Sequence, residues 1–215
     1  ATSTVEPVSS ERVPLSRPAI AAAAIDLLDE VGVDGLTMRA VAARLGAGTM
    51  SLYRHVAGRD ELLDLVVTEL TDRIEFGTPS GDWRTDLASV ARHTRRALVS
   101  RPQLTLLLTA RAGSTAATLR ALDHTLGILR AAGLGPREAV RTNHALGNLV
   151  AGAALWEAEG RRAPVPTRDA PAPSRENLAW AAGELFAGTP EDRFEYGLRL
   201  LLDGIEASLA GGSPA

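Results

Sequence analysis

A short polar segment near the N-terminus carries the side chains of this sequence that are best suited to binding chemistry. Leu52 and Val56 are spaced to anchor the segment on an apolar core, which leaves its polar side chains facing solvent. Hydroxyl, phenol and guanidinium groups on a short, rigidly held helix can bind phosphates and base edges in the major groove of DNA. The side chains expected to point away from the core are Thr49, Met50, Ser51, Tyr53 and Arg54.

Two helices are predicted to precede and support this segment. Ser16 is a suitable N-cap for the first, in which apolar residues follow at helical spacing. Gly32 and Gly35 are predicted to end that helix, because glycine is the usual residue at a helix C-terminus. Thr37 is then a suitable cap for a short second helix over residues 38–45.

The connection between the second and third helices indicates a helix-turn-helix. Val41 and Leu45 are expected to face inward, and a glycine-containing turn at 46–48 allows a sharp change of direction. A third helix is predicted over 49–56, and a longer helix is predicted to begin near Asp60. Two short helices joined by such a turn are typical of DNA-binding domains, although a plain helical bundle also fits the pattern alone.

The segment from Gly35 to Leu63, GLTMRAVAARLGAGTMSLYRHVAGRDELL, resembles the DNA-binding domain of the TetR family. Many independent positions fit one register. The matching pairs and runs are Leu36-Thr37, Leu45-Gly46, Leu52-Tyr53-Arg54-His55, and Arg59 before Leu62-Leu63. The resemblance implies a dimeric, ligand-responsive transcription regulator, most simply a repressor that a small molecule releases from a palindromic operator.

The resemblance also implies roles for individual side chains. Thr37 and Arg39, which open the second helix, are expected to contact phosphate or a base at the edge of the operator site. Tyr53 and His55 are expected to hold the DNA backbone, and Arg59 is expected to meet a phosphate from the start of the fourth helix. The residues expected at the base edges are Gly48, Thr49, Met50 and Ser51.

Hydrogen bonds that read the bases must come from a few side chains, because Gly48 and Met50 offer no side-chain hydrogen bonds. We expect readout by Thr49, Ser51, Arg39 and Arg54, with methyl contacts from Met50. The first 60 residues contain six Arg and seven acidic residues, so this region is not basic overall. The proposed face is basic nevertheless, because it is expected to gather Arg39, Arg44, Arg54 and Arg59.

The remainder of the chain predicts an all-α fold in two domains. A disordered tail is expected over 1–15, a three-helix helix-turn-helix DNA-binding domain over 16–59, and a larger α-helical ligand-binding and dimerisation domain over 60–215. A linking helix over 60–76 opens the second domain, and the loop at 76–81 is a further candidate boundary. The other predicted elements are helices near 82–100, 102–112, 115–132, 136–160, 175–185 and 192–209, and a flexible, proline-rich loop at 161–173.

The helices near 136–160 and 192–209 are expected to form a homodimer interface. The first becomes rich in small and apolar residues from Gly147 onward, and the second carries Phe194, Leu198 and Leu202 at helical spacing. In the TetR family, two such helices pair with their copies in a four-helix interface, which the resemblance implies here. A monomer core closed by the same helices is the alternative.

A mixture of polar and apolar residues in the second domain predicts a pocket for a small-molecule effector. The expected lining is Ile74, Val90, Thr94, Leu104, Leu108, Arg111, Asn143, Gly147 and Asn148, with His144 nearby. The body also resembles the tetracycline-repressor branch of the family, in which histidines help to grip a drug–magnesium complex. By alignment those positions are Ile74 and Leu108 here, which favours a more apolar organic effector and no metal site.

Other classes of function find little support in the sequence. The chain has no Cys, which excludes disulfides and thiolate chemistry, and it contains none of the hydrolase, metalloprotease or phosphate-loop motifs. We therefore expect no catalytic residues and no cofactor. No apolar run is long enough for a membrane span, so a cytoplasmic protein is expected. An architectural DNA-binding protein without an effector, and an activator instead of a repressor, remain alternatives.

Overall fold

A computed structural model describes residues 14–111, 113–160, 176–184 and 187–211, and within these ranges all regular secondary structure is helical. The predicted loop at 161–173 and residues 1–13 of the predicted tail lie outside the described residues. The predicted all-α class is confirmed. The helices are α1 (Arg17–Gly35), α2 (Met38–Arg44), α3 (Thr49–Leu52), α4 (Arg59–Asp72), α5 (Trp83–Ser100), α6 (Pro102–Ala110), α7 (Ala116–Ala131), α8 (Pro136–Gly160), α9 (Glu176–Ala181) and α10 (Pro190–Ala210).

Side-chain caps set the starts of several helices. The hydroxyl of Ser16 accepts a hydrogen bond from the backbone N–H of Ala19 at the start of α1. At the start of α7, Thr115 and Thr118 form a capping box in which each side chain accepts from the backbone N–H of the other. Because caps act within three residues, these helix starts can be predicted from the sequence.

The chain divides into two compact units, residues 1–69 and 70–215. In the first unit, α2 packs against both α1 and α3. Its core is made of aliphatic side chains that are almost completely buried, including Ile20, Leu28, Leu36, Val41, Leu52 and Leu62. In this unit, therefore, α2 supports α3, the other helix of the predicted helix-turn-helix.

The boundary between the units lies within α4, ten residues after the predicted end of the first domain at Arg59. Polar contacts explain this difference, because they fasten the start of α4 to the first unit. Nε and Nη2 of Arg59 donate to the carbonyls of Leu36 and Val33. Glu61 accepts from the guanidinium of Arg17 and from the backbone N–H of Ala57, both at 2.6 Å. The contacts of Arg59 and Arg17 join positions that are distant in sequence, so helical periodicity could not predict them.

The second unit is built around α5 and α8. These two helices pack against each other, and each of them also packs against α6, α7 and α10. The most deeply buried large side chains come from four of these helices and include Leu87, Leu104, Leu129, Phe194 and Leu198. Leucine and smaller aliphatic residues dominate this core, as the low aromatic content of the sequence predicts.

The third helix is shorter than predicted. It ends at Leu52, and the chain continues to Val56 through turns in which the N–H groups of Arg54 and His55 donate to carbonyls three residues earlier. Val56 is nevertheless buried, as predicted, because its N–H still bonds to the carbonyl of Leu52. Leu45, which was predicted to face inward, is only half-buried, since it is the C-cap of α2 and begins the turn.

Candidate DNA-binding surface and ligand cavity

The start of α2 presents two of the predicted DNA contacts to solvent. The hydroxyl of Thr37 accepts a hydrogen bond from the backbone N–H of Ala40 at 3.1 Å, which fixes the first turn of the helix. Thr37 and Arg39 are both exposed. An exposed hydroxyl and guanidinium at one helix terminus, beside N–H groups with no partner inside the helix, suit an anionic ligand such as a phosphate.

The turn after α2 requires a glycine at one position. Gly46 has a φ of 60°. Its N–H donates to the carbonyl of Ala43 at 3.1 Å, and the N–H of Ala47 donates to the carbonyl of Ala42 at 2.9 Å. This pattern is the Schellman motif, which ends a helix and turns the chain. An added Cβ at Gly46 would meet nothing within 4 Å, so backbone conformation and not space excludes other residues.

The segment after this turn is exposed on one side and anchored on the other. Leu52 is completely buried, whereas the side chains of Met50 and Tyr53 are 79% and 45% exposed. Arg54 is exposed, and its Nη2 donates to Oγ of Ser51 at 3.2 Å. The structure thus places Thr49, Met50 and Ser51 on one short helix, with Gly48 as its N-cap and Arg54 in the turn that follows it.

Two of the four arginines expected on the basic face are engaged within the first unit. Arg44 forms an ion pair with Glu30, and its guanidinium lowers the pKa of that carboxyl. Arg59 donates to the carbonyl of Val33, in the last turn of α1, and to the carbonyl of Leu36, the C-cap of this helix. The expectation of a four-arginine basic face is therefore corrected. Arg44 and Arg59 are held by contacts with α1 and its C-cap, whereas Arg39 is exposed and Arg54 donates to Ser51 of its own segment.

The second unit contains a cavity of about 830 Å³. It is lined by side chains from the end of α4 and the following loop, from α5 to α8, and from the loop between α6 and α7. Seven of the nine residues predicted for the effector site line it, as does His144. They are Ile74, Val90, Thr94, Leu108, Asn143, Gly147 and Asn148.

The other two predicted residues do not line the cavity. Leu104 is 1% exposed and belongs to the core of the second unit. Arg111 is the half-buried C-cap of α6, which ends at Ala110 and not near residue 112 as predicted. Both residues lie on or next to the correct helix, but the periodicity of a helix alone does not tell a core-facing leucine from a cavity-facing one.

Threonines form most of the polar lining, and sequence reasoning missed all but one of them. The lining contains Thr71, Thr94, Thr105, Thr109, Thr118 and Thr125. Their spacing was an available signal: two are four residues apart on α6, and two are seven residues apart on α7, which places each pair on one helix face.

The hydroxyls of these threonines differ in their partners. Those of Thr109, Thr118 and Thr125 donate to backbone carbonyls three or four residues earlier, at 2.8 to 3.1 Å. The hydroxyl oxygens of Thr71 and Thr105 are buried, and no residue within the described ranges is their hydrogen-bond partner. A buried polar group without a partner costs about 1–3 kcal/mol, so these two hydroxyls are an unusual feature.

Among the residues that the structure describes, the cavity lining contains no Asp, Glu or Arg, and His144 is the one titratable residue. Ile74 and Leu108 both line it, and neither side chain has an atom that could coordinate a metal. Within the described ranges, no group of three or more His, Asp or Glu residues is arranged to hold a metal ion. None of the helices in the same ranges has the length and apolar character that crossing a membrane requires.

Comparisons with known proteins agree with this geometry. Residues 20–66 match the family described as bacterial regulatory proteins, tetR family, and residues 77–209 match the tetracyclin repressor-like C-terminal domain. The chain belongs to the TetR family. As a TetR-family protein, it is a DNA-binding transcription regulator with a repressor-like, ligand-binding body. The predictions of the family, and of function at this level, are confirmed.

Individual relatives cover most of this TetR-family chain. The HTH-type transcriptional repressor DrrR1 of Streptomyces coeruleorubidus is 34% identical over 87% of this chain and 76% of its own length. The class A tetracycline repressor from transposon 1721 of Escherichia coli is also 34% identical, over 85% and 87% of the two chains. Among solved structures, ActR of Streptomyces coelicolor in complex with (S)-DNPA gives a TM-score of 0.78 at 30% identity, over 91% and 99% of the chains.

Large apolar side chains of α8 and α10 are exposed in this TetR-family body. The two helices pack closely, since a Cβ added at Gly197 of α10 would lie 2.8 Å from Cδ1 of Leu149 of α8. The exposed apolar residues of these helices are Val140, Leu155, Trp156, Tyr196 and Leu200. Such a concentration on two packed helices is typical of an interaction surface.

Proposed function

We propose that this protein is a homodimeric repressor that binds a palindromic operator and leaves it when a small, largely apolar molecule occupies the cavity of the second unit. The observation that carries the proposal is the cavity itself, which is large and mainly apolar and occurs in the same chain as an exposed helix-turn-helix segment. A cavity of this volume is within the range that drug-sized ligands occupy. An architectural DNA-binding protein without an effector would not need such a cavity.

The proposed DNA contacts follow the exposed side chains of the first unit. Thr37, Arg39, Tyr53 and His55 would contact the sugar–phosphate backbone and set the register of the protein on the operator. Gly48 to Ser51, together with Arg54, would lie at the base edges. Arg59 is left out of this set, because two of its guanidinium nitrogens already bind carbonyls of α1.

The proposed dimer uses the exposed apolar faces of α8 and α10. Pairing these faces with their copies would bury Trp156 and Leu200, which are 83% and 54% exposed in the single chain. An isologous pair of chains also presents two recognition segments, as a palindromic operator requires. We expect Leu200→Glu to convert the dimer to monomer in analytical ultracentrifugation, whereas Leu119→Glu, at an equally exposed position on α7, should leave it dimeric.

Repression is favoured over activation by the relatives, since DrrR1 and the class A tetracycline protein are both named repressors. Ligand response is supported by ActR, which has been crystallised with (S)-DNPA and with actinorhodin.

The deciding experiment is selection of duplexes from a randomised pool, followed by gel-shift titration of the selected sequence at fixed salt. Salt must be fixed because phosphate contacts make affinity strongly salt-dependent. We expect one palindromic sequence to be enriched and bound tightly. Arg39→Ala and Tyr53→Phe should both weaken binding. Arg96→Ala, which removes an exposed arginine of α5 in the second unit, is the matched control and should not. Failure to enrich any sequence would refute the proposal.

A further inference from the structure

The hydroxyls of Thr71 and Thr105 are the starting point for assigning a ligand class to the cavity. Thr71 is 5% exposed and Thr105 is 1% exposed, and both line the cavity. Their Oγ1 atoms have no hydrogen-bond partner among the described residues, although most buried hydroxyls in folded proteins have a partner. The threonine at position 125 lines the same cavity but donates to the carbonyl of Ala121 in its own helix. The two unpartnered hydroxyls are therefore not a general property of threonines in this body.

These two hydroxyls come from different elements of the second unit. Thr71 is in the last turn of α4, and Thr105 is in the first half of α6. A molecule that satisfies both must carry at least two polar atoms on one framework. Since a hydroxyl can both donate and accept, carbonyl, ether and hydroxyl oxygens on the ligand would all serve.

The charge of the ligand is limited by the rest of the lining. No carboxylate or guanidinium of the described part of the chain lines the cavity, and the remaining described lining is mainly aliphatic with two asparagines and His144. A charged group that leaves water for such surroundings loses its hydration without gaining a counterion, which is strongly unfavourable. Neutral oxygen atoms can exchange hydrogen bonds with water for hydrogen bonds with threonine at little net cost.

We infer that the cavity binds an uncharged organic molecule whose oxygen atoms pair with the hydroxyls of Thr71 and Thr105. This inference rests on the proposed function, because it names the chemical class of the molecule that releases the repressor. The inference also excludes carboxylate and ammonium ligands. It assigns Thr71 and Thr105 as the residues that distinguish an oxygen-bearing ligand from a plain hydrocarbon.

The first test needs no ligand. Thr71→Val and Thr105→Val replace an unpartnered hydroxyl by a methyl group of the same shape, so each should raise the Tm of the ligand-free protein, by about 2 °C. Thr125→Val is the matched control, because it removes a hydroxyl that does have a partner, and it should not raise Tm. A fall in Tm for both Thr71→Val and Thr105→Val would overturn the inference, because it would show that their hydroxyls are already satisfied within the folded protein.

The second test measures binding of three probes of similar size by titration calorimetry: anthraquinone, anthracene and anthraquinone carboxylate. We expect anthraquinone to bind most tightly, and Thr71→Val or Thr105→Val to weaken it about fivefold to tenfold. Binding of the carboxylate with equal or higher affinity, equal binding of anthracene, or no loss in the two variants would overturn the inference. So would a failure of anthraquinone to bind at all.

The outcomes separate this inference from the proposed function. If the protein selects an operator but fails these two tests, the repressor proposal stands and only the ligand class is wrong. If the valine variants behave as expected but no DNA sequence is enriched, the cavity binds its ligand in a protein that does not act on an operator.

Discussion

Arg95 and Glu157 form an ion pair inside the helical body, with 2.6 Å between Nη2 and Oε2. Their side chains are 7% and 14% exposed. The same guanidinium also pairs with Glu191, and it lies 4.9 Å from the ring centroid of Phe194. One side chain of α5 thus joins α8 to the start of α10.

Replacing this guanidinium should be costly. Removal of one partner from a buried ion pair leaves the other charge poorly solvated, which typically destabilises a protein by about 3 kcal/mol or more. We expect Arg95→Met to lower the free energy of unfolding by about that amount in urea denaturation, and the double variant Arg95→Met/Glu157→Met to recover part of the loss. Arg84→Ala is the control, because its partners Asp203 and Glu206 are exposed, and a much smaller loss is expected. Equal losses in the two single variants would contradict this interpretation.

The central role of Arg95 could not be predicted from the sequence. It stands among Arg92 and Arg96 on α5, and the pattern gives no reason to bury one of the three. By contrast, the helices themselves were largely predictable, because caps such as Thr37 and breaks such as Gly133 act over a few residues. Features that depend on residues close together in sequence could therefore be predicted, whereas contacts between residues far apart in sequence could not.

Gly46 offers a test of the turn that orients the recognition segment. Its φ of 60° is unfavourable for any residue with a Cβ, so Gly46→Ala should cost about 1–2 kcal/mol of stability. Gly46→Asn should cost less, since asparagine tolerates this conformation. Urea denaturation of both variants measures the difference.

A matched methyl addition separates conformational strain from the effect of the methyl group. Gly127 lies within α7, is exposed, and an added Cβ there would meet nothing within 4 Å. Gly127→Ala should therefore stabilise the protein by up to about 1 kcal/mol through helix propensity. If Gly46→Ala were as stabilising as Gly127→Ala, the assigned turn conformation would be wrong.

The pH dependence of stability should report on Glu61. The backbone N–H of Ala57 and, after it, the guanidinium of Arg17 lower the pKa of this carboxyl below its ordinary value of 4.5. The folded protein therefore binds this proton less readily than the unfolded chain, so the ionised carboxylate stabilises the fold above pH 4.5. That stabilisation is lost as the pH falls through the lower pKa of the folded state.

Thermal unfolding of the wild type and of Glu61→Gln between pH 7 and pH 3 tests this assignment. The variant should have the lower Tm at pH 7, and the difference in Tm should shrink as the pH falls below about 4.5. A difference that stays constant across this range would mean that Glu61 contributes through packing and not through its charge.

The candidate sites were partly predictable for the same reason as the helices. The exposed residues of α3 follow from a local motif, and three of the seven predicted cavity residues, Thr94, Asn143 and Asn148, are polar positions on otherwise apolar helices. The ion pair of Arg44 with Glu30 and the contacts of Arg59 with α1 depend on how separate helices meet. A count of arginines on one predicted face therefore overestimated its positive charge.

The two kinds of proposed DNA contact should differ in their dependence on salt. Arg39 is exposed at the start of α2 and is assigned to a phosphate, so Arg39→Ala should weaken binding to all duplexes and reduce the slope of log affinity against log salt by about 1. Met50 is 79% exposed on α3 and is assigned to base edges. Met50→Ala should instead leave the slope unchanged and relax the preference for particular bases.

Gel-shift titrations of the selected operator and of single-base variants, at several salt concentrations, measure both quantities together. Arg96→Ala again controls for the loss of one positive charge and should change neither. The assignment requires the two effects to separate, since a phosphate contact carries no sequence information and a thioether releases no counterion. If Arg39→Ala changed the base preference and left the slope unchanged, the assignment to a phosphate would be wrong. Arg39 would then contact a base at the edge of the operator site.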